Sequence, residues 1–153
     1  MVEMGFTVTC PAFLQGGLIP AIHAYDGKNT SPALQWSHTP PDTCSFVLIM
    51  EDPDAADGTV THWMLFDIPG AAQGLAEQEA SCGIPGRNDF QREGYTGPCP
   101  PPHGGAHRYV LRLYALDVDS LGLPCGATRP DVEKAMHDHI LAHTEIMGRY
   151  ERR

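Results

Sequence analysis

The chain has 153 residues and a formal net charge of -9, with 10 Lys and Arg against 19 Asp and Glu. That is enough length for one hydrophobic core, and the acidity excludes a broad nucleic-acid face or adhesion to anionic lipid. Sixteen Gly and 14 Pro make about a fifth of the residues, against a usual share of roughly 12%. This excludes a helical bundle, because both residues disfavour helix interiors.

The first ten residues carry an acid at Glu3 and no long apolar stretch, so no signal peptide is expected. No apolar run reaches the ~18 residues that a membrane span needs. Five Cys without a CxxC pair read as reduced thiols rather than a disulfide framework or zinc ribbon. The expected location is cytoplasmic. Phe6, Val8 and Cys10 alternate with Thr7 and Thr9, as in a half-buried strand. Ser45 to Met50 is a continuous apolar run, the pattern of a central strand. Val60 to Ile68 reads as a further strand, stopped by Pro69-Gly70. His107 to Leu116 is the clearest strand: His107, Tyr109, Leu111 and Leu113 share one face, and Arg108, Val110, Arg112 and Tyr114 the other. Residues 11–44, 70–106 and 119–128 read as long loops. Thr128 with Asp131 resembles a capping box, and Pro130 suits the first turn. Val132, Met136, Ile140 and His143 then repeat at helical spacing, predicting one helix that ends at Gly148 and a short closing strand over 149–153. The fold class expected is mainly β, a sandwich in a single domain over 1–153.

Three pieces could carry chemistry. Asp52-Pro53-Asp54 follows the central strand, and by spacing alone it predicts an Asx-type turn with solvated acids. His62 precedes Trp63 in an apolar strand and alone would read as a core histidine. Gly97-Pro98-Cys99-Pro100-Pro101-Pro102 is a stiff extended stretch that leads to His107. Cys99, His107 and Asp52 could together make a nucleophile, base and orienting acid. However, no neighbouring residue activates the thiol and no Gly-x-Ser-x-Gly elbow occurs. His139 and His143 sit four apart, a zinc-like spacing, but without the adjacent Glu of a His-Glu-x-x-His motif. Asp52, His62 and His107 could also hold a divalent ion, a weaker reading than anion binding.

Taken together and in order, these fragments resemble the phosphatidylethanolamine-binding protein family. The match runs through Ser31-Pro-Ala-Leu-Gln-Trp36, Asp52-Pro-Asp-Ala55, His62-Trp63, Asn88-Asp-Phe90, Gly94-Tyr-Thr-Gly-Pro-Cys-Pro-Pro101, His107-Arg-Tyr109 and Leu113-Tyr-Ala-Leu-Asp117. It covers residues 5 to about 152 and is closest to the bacterial and archaeal Raf-kinase-inhibitor-like branch of the YbhB/YbcL type. The sequence departs from the usual pattern at Ala56, Gln91 and His103.

The resemblance implies two antiparallel sheets in Greek-key order with peripheral helices. It also implies a small pocket for phosphate or phosphoryl head groups made by Asp52, Asp54, His62, Pro100, Pro101, His107 and Tyr109, flanked by Trp63 and Cys99. No cofactor and no resident metal are implied. The chain is expected to be a binding protein and not an enzyme, possible partners being a kinase or serine protease, and homodimers are common in prokaryotic relatives. In such a pocket the histidines would donate to the anion, and Asp52 would accept from one of them. The prolines would stiffen the wall, and the Tyr109 hydroxyl would reach the same hole.

Overall fold

The computed structural model describes residues 5–79 and 81–152. Eight strands and one α-helix follow the chain: β1 (Thr7–Thr9), β2 (Leu34–Ser37), β3 (Ser45–Asp52), β4 (Val60–Pro69), β5 (Gly74–Leu75), β6 (Ile84–Pro85), β7 (His107–Leu116), α1 (Arg129–Met136) and β8 (Ile140–Tyr150). They form two antiparallel sheets, one ordered β1-β2-β5 and the other β6-β4-β3-β7-β8. The hairpin β3-β4 is followed by a long excursion that returns β7 to the opposite side of β3, which is the Greek-key feature.

β3 is central and buried along its whole length, as its apolar run requires. Phe46, Leu48 and Met50 face the small sheet, where they meet Val8, Leu34 and Trp36. The Trp36 and Phe46 rings lie 5.2 Å apart, and the indole N–H donates to the Ala72 carbonyl at 2.8 Å. Val47 and Ile49 face the other way, packing with Met64, Phe66 and Leu116 against Val132 and Met136 of α1. β7 keeps the parity read from its sequence: Tyr109, Leu111 and Leu113 lie in the core between the sheets, and Tyr114 and Leu116 on the helix side.

Three expectations require correction. The helix is short: it ends at Met136, a 3-10 turn spans His137–His139, and residues Ile140–Tyr150 are strand. β7 would otherwise present ten residues of unpaired backbone, and β8 pairs with it from His107 to Leu116. Satisfying that edge outweighs the local helical spacing. Gly148 is therefore a strand residue; a Cβ there would come within 2.7 Å of the Phe13 ring and 2.6 Å of Ile19, which pack over it. The capping box is also absent, since Thr128 makes no side-chain cap bond and only its carbonyl accepts, from Val132 N–H at 3.0 Å. Finally, the stretches 11–44 and 70–106 hold β2, β5 and β6, which are too short to carry a periodic signal.

Candidate functional site

β3 ends at Asp52, and its side chain turns the chain. Asp52 Oδ1 accepts the Asp54 N–H at 2.8 Å, the Asx turn that Asp-Pro-Asp predicts. Oδ2 accepts from His107 Nδ1 at 2.7 Å, across the sheet from the first residue of β7. Asp52 is 4% exposed, so this pair is held within protein. A carboxylate fixes the proton on Nδ1 and leaves His107 Nε2 without a protein partner among the described residues.

His62 reaches the same place through a break in the ladder. Trp63 pairs with Met50 and Thr61 with Glu51, so His62 is the extra residue of a β-bulge. The bulge brings two consecutive side chains to the side of Tyr109. His62 meets the Tyr109 ring edge-on at 5.3 Å, while Trp63 enters the core against Tyr95 at 5.1 Å. His62 Nδ1 lies 2.8 Å from the Thr96 carbonyl and 3.1 Å from the Gly97 carbonyl. Carbonyl oxygens only accept, so Nδ1 carries the hydrogen and Nε2 of the neutral ring keeps its lone pair.

The 94–101 segment holds these acceptors in place. Asn88 is buried and donates to the His62 carbonyl at 3.3 Å and to Thr96 Oγ1 at 2.9 Å, while its Oδ1 accepts from Phe90 and Arg92 N–H. Asp89 exchanges bonds with the Thr61 backbone, its N–H donating at 2.9 Å and its Oδ2 accepting at 2.7 Å. Gly97 has no room for a side chain, because a Cβ would lie 2.1 Å from the His23 carbonyl oxygen. Loop, bulge and both histidines are therefore one positioned unit.

The result is a cleft of ≈ 330 Å³ lined by Asp52, Ala55, Ala56, Asp57, Val60, His62, Asp89, Phe90, Cys99, Pro101 and His107. Several expected site residues lie elsewhere. Asp54 faces outward, where the Arg108 guanidinium and backbone N–H bind it at 2.8 Å and hold its carboxyl at about 2. Pro100 is buried behind the wall that Pro101 forms. Tyr109 is fully buried beneath the cleft, and its hydroxyl has no partner in hydrogen-bonding geometry among the described residues. Burial, with the charge of Asp52 adding to it, pushes the phenol above its usual range. His103 is exposed on its loop.

Of the nucleophile arrangement, the bond between His107 Nδ1 and Asp52 is present at 2.7 Å, while Cys99 Sγ accepts from Arg152 Nη1 at 3.4 Å and not from His107. His139 bonds Asp117 at 2.8 Å from a 3-10 turn, and His143 lies in β8 beside Tyr114, so the two do not share a helix face. No three His, Cys, Asp or Glu side chains converge to hold a metal ion among the described residues.

Burial lowers the pKa of His62 from 6.5, and the two carbonyls, Asp52 and Asp89 only partly offset this. The unfolded imidazole therefore takes up a proton that the folded one refuses. The stability it contributes is complete above pH 6.5 and is lost as pH falls below that value. Urea midpoints measured from pH 8 to pH 5 are expected to fall below pH 6.5, and to lose that slope in His62→Gln. Asp54 gives its own loss only between 3.8 and about 2, well clear of this window. A wild-type midpoint constant from pH 8 to pH 5 would contradict the assignment.

A family model described as phosphatidylethanolamine-binding protein matches residues 9–151. The chain belongs to the phosphatidylethanolamine-binding protein family. A UPF0098 protein of Aquifex aeolicus is 49% identical over 146 residues, covering 92% of this chain and 85% of that one. One from Methanothermobacter thermautotrophicus is 43% identical over 147 residues, covering 92% and 95%. The crystal structure of a phosphatidylethanolamine-binding protein homologue from Chlamydia trachomatis superposes with a TM-score of 0.91 at 37% identity, covering 97% of this chain and 99% of that one. E. coli YbcL gives 0.91 at 28% identity, covering 98% and 100%.

Membership of the phosphatidylethanolamine-binding protein family supports ligand binding in general. The compartment does not follow from it: a relative in Mycobacterium tuberculosis that is named a lipoprotein, LppC, is 35% identical over 146 residues. Among the described residues no helix is long and apolar enough to cross a membrane. The cleft also contains residues that were not expected from the sequence. Phe90 packs 4.9 Å from the His62 ring, and Asp57 and Asp89 add two carboxylates. Phe90 and Asp89 stand in the Asn-Asp-Phe motif, which was the available signal. Asp57 carried none.

Proposed function

We propose that this member of the phosphatidylethanolamine-binding protein family binds a small oxyanion, phosphate or a phosphoryl group, in the cleft between His62 and His107. The supporting observation is that both imidazoles are held at Nδ1 by fixed acceptors, with Nε2 of each free of protein partners among the described residues. Two rings held by one nitrogen form a preorganised pair of contacts that loses little conformational freedom on binding. His107 Nε2 faces the cleft, and Asp52 behind it holds the ring's orientation through Nδ1. Pro101 and Phe90 make an apolar wall that strengthens such contacts by excluding water.

The role is recognition, with no chemical step. A phosphorylated side chain on a protein partner, a kinase or serine protease among them, would present the same group as a free phosphate. A homodimer would present two such clefts. Calorimetric titration of inorganic phosphate at pH 6 tests the reading; saturable binding at one site per chain is expected, and no heat up to tens of millimolar would overturn it.

A further inference from the structure

A second cavity lies beside the neighbour of His62 in the bulge. Whereas His62 lines the cleft, Trp63 lines a space of ≈ 160 Å³ together with Ser31, Glu79, Cys82, Glu93 and Tyr95, and no residue lines both. Ser31 is 7% exposed and Trp63 2%. Neither the Ser31 hydroxyl nor the Trp63 indole N–H has a hydrogen-bond partner among the described residues, whereas the Trp36 indole donates to the Ala72 carbonyl. Neither is sealed in as the Tyr109 hydroxyl is, so the small surface each keeps opens on the cavity they share. Buried polar groups are normally paired, and two that converge unpaired on one space call for a partner inside it. An indole N–H can only donate, so that partner must offer an acceptor. The rest of the wall is acidic and aromatic. Glu79 and Glu93 bring carboxylates, and no Lys or Arg lines the cavity. The adjoining thiols register that charge: Cys125 donates to Glu93 at 3.1 Å, which pushes its pKa up, and Cys82 is pushed up by burial and then by Glu79. Tyr95 gives its hydroxyl to the His23 carbonyl at 2.6 Å and meets the Trp63 ring edge-on at 5.1 Å.

We propose that this cavity is a second ligand site, separate from the cleft, for a small organic ammonium ion that carries an uncharged acceptor oxygen close to its nitrogen, as an amino amide does. The ammonium donates to Glu93 and Glu79, and the Trp63 and Tyr95 rings beside it attract a cation. The oxygen accepts from the Ser31 hydroxyl and the Trp63 N–H. A bare divalent ion fits poorly, since among the described residues no three ligating side chains converge. A ligand with its own carboxylate would be repelled by the two glutamates. The volume is below the roughly 300–1,000 Å³ of pockets for drug-sized molecules, which restricts the ligand to a few heavy atoms.

The test uses proton–nitrogen correlation spectra of the full chain at pH 6.5, where its two tryptophans give two indole signals. The probes are glycinamide, propylamine, which keeps the charge without the oxygen, and acetamide, which keeps the oxygen without the charge. Glycinamide is expected to shift the Trp63 indole signal saturably and to leave that of Trp36 in place. It should bind at least ~10-fold more tightly than either of the other two, as the loss of a charge-assisted hydrogen bond implies. Glu93 is exposed, so Glu93→Gln should fold normally, and it is expected to weaken glycinamide by a similar factor. Ser31→Ala should weaken glycinamide and leave propylamine unchanged. No movement of the Trp63 signal with glycinamide up to tens of millimolar would overturn the site. Equal binding of propylamine or acetamide would overturn the two-part recognition, and unchanged glycinamide affinity in folded Glu93→Gln would overturn the role of the carboxylates.

Discussion

Replacing His107 by alanine is expected to lower phosphate affinity at least ~10-fold, about 1.4 kcal/mol or more, while the chain still folds. His107 is the cleft imidazole whose orientation is fixed by a carboxylate, at 2.7 Å, with Nε2 left to face an anion. Its removal also leaves the buried Asp52 with one partner, the Asp54 N–H. An unsatisfied buried acceptor costs about 1–3 kcal/mol, against a total stability of roughly 5–15 kcal/mol for a typical domain. A lowered melting point with retained circular dichroism is thus the expected outcome. Tyr109→Phe provides the contrast: its hydroxyl lies beneath the cleft without a hydrogen-bond partner among the described residues, so that variant should keep phosphate affinity. A folded His107→Ala protein with unchanged affinity would remove His107 from the site.

The Tyr109 contrast also indicates what the sequence could carry. Parity along β7 correctly places Tyr109 on the face of His107, but parity does not reveal depth. Two residues further into the strand is two residues further under the small sheet, where Tyr109 packs with Leu111 and Met50. Asp54 is a similar case. The Asp-Pro-Asp motif presents two carboxylates, and the Asx turn sends them in opposite directions, one to His107 and one to Arg108. The bulge at His62 has no signature in residue type at all. It arises because Thr61 is tied to Asp89 and the His62 carbonyl to Asn88 and Thr96, contacts 26 to 34 residues away along the chain. The C-terminal error has the same origin: Val132 and Met136 do form a buried helical pair, but the next two members of that spacing are claimed by the free edge of β7. Local periodicity was sound wherever one element supplied both the pattern and its partner surface.

On the face of β3 away from the cleft, Glu51 is 5% exposed and is held by Arg112 of β7 and Arg129 of α1. Arg129 also donates to Thr61 Oγ1 at 3.0 Å, which ties the helix to the start of β4. Taking Arg112 away leaves the buried carboxylate with only the two Arg129 contacts, at 3.4 and 3.5 Å. Arg112→Met is therefore expected to cost about 3 kcal/mol, because removing one member of a buried ionic cluster leaves the Glu51 carboxylate only partly compensated. That corresponds to a melting point lower by roughly 6–12 °C for a chain of this size. The double variant Glu51→Leu with Arg112→Met removes the stranded carboxylate, leaves Arg129 its bonds to Glu133 and Thr61, and should recover most of the loss, since apolar residues of similar volume can replace buried ionic groups without penalty. Thermal melts of the two singles and the double form the cycle, and a double less stable than Arg112→Met would contradict it. Glu51 and Asp52 are neighbours in sequence but belong to opposite faces of the sheet. Arg112→Met should accordingly lower stability while phosphate affinity holds, whereas the larger effect of His107→Ala should be on affinity. A parallel loss of affinity in Arg112→Met would mean that the ion-pair network and the cleft are mechanically coupled through β3.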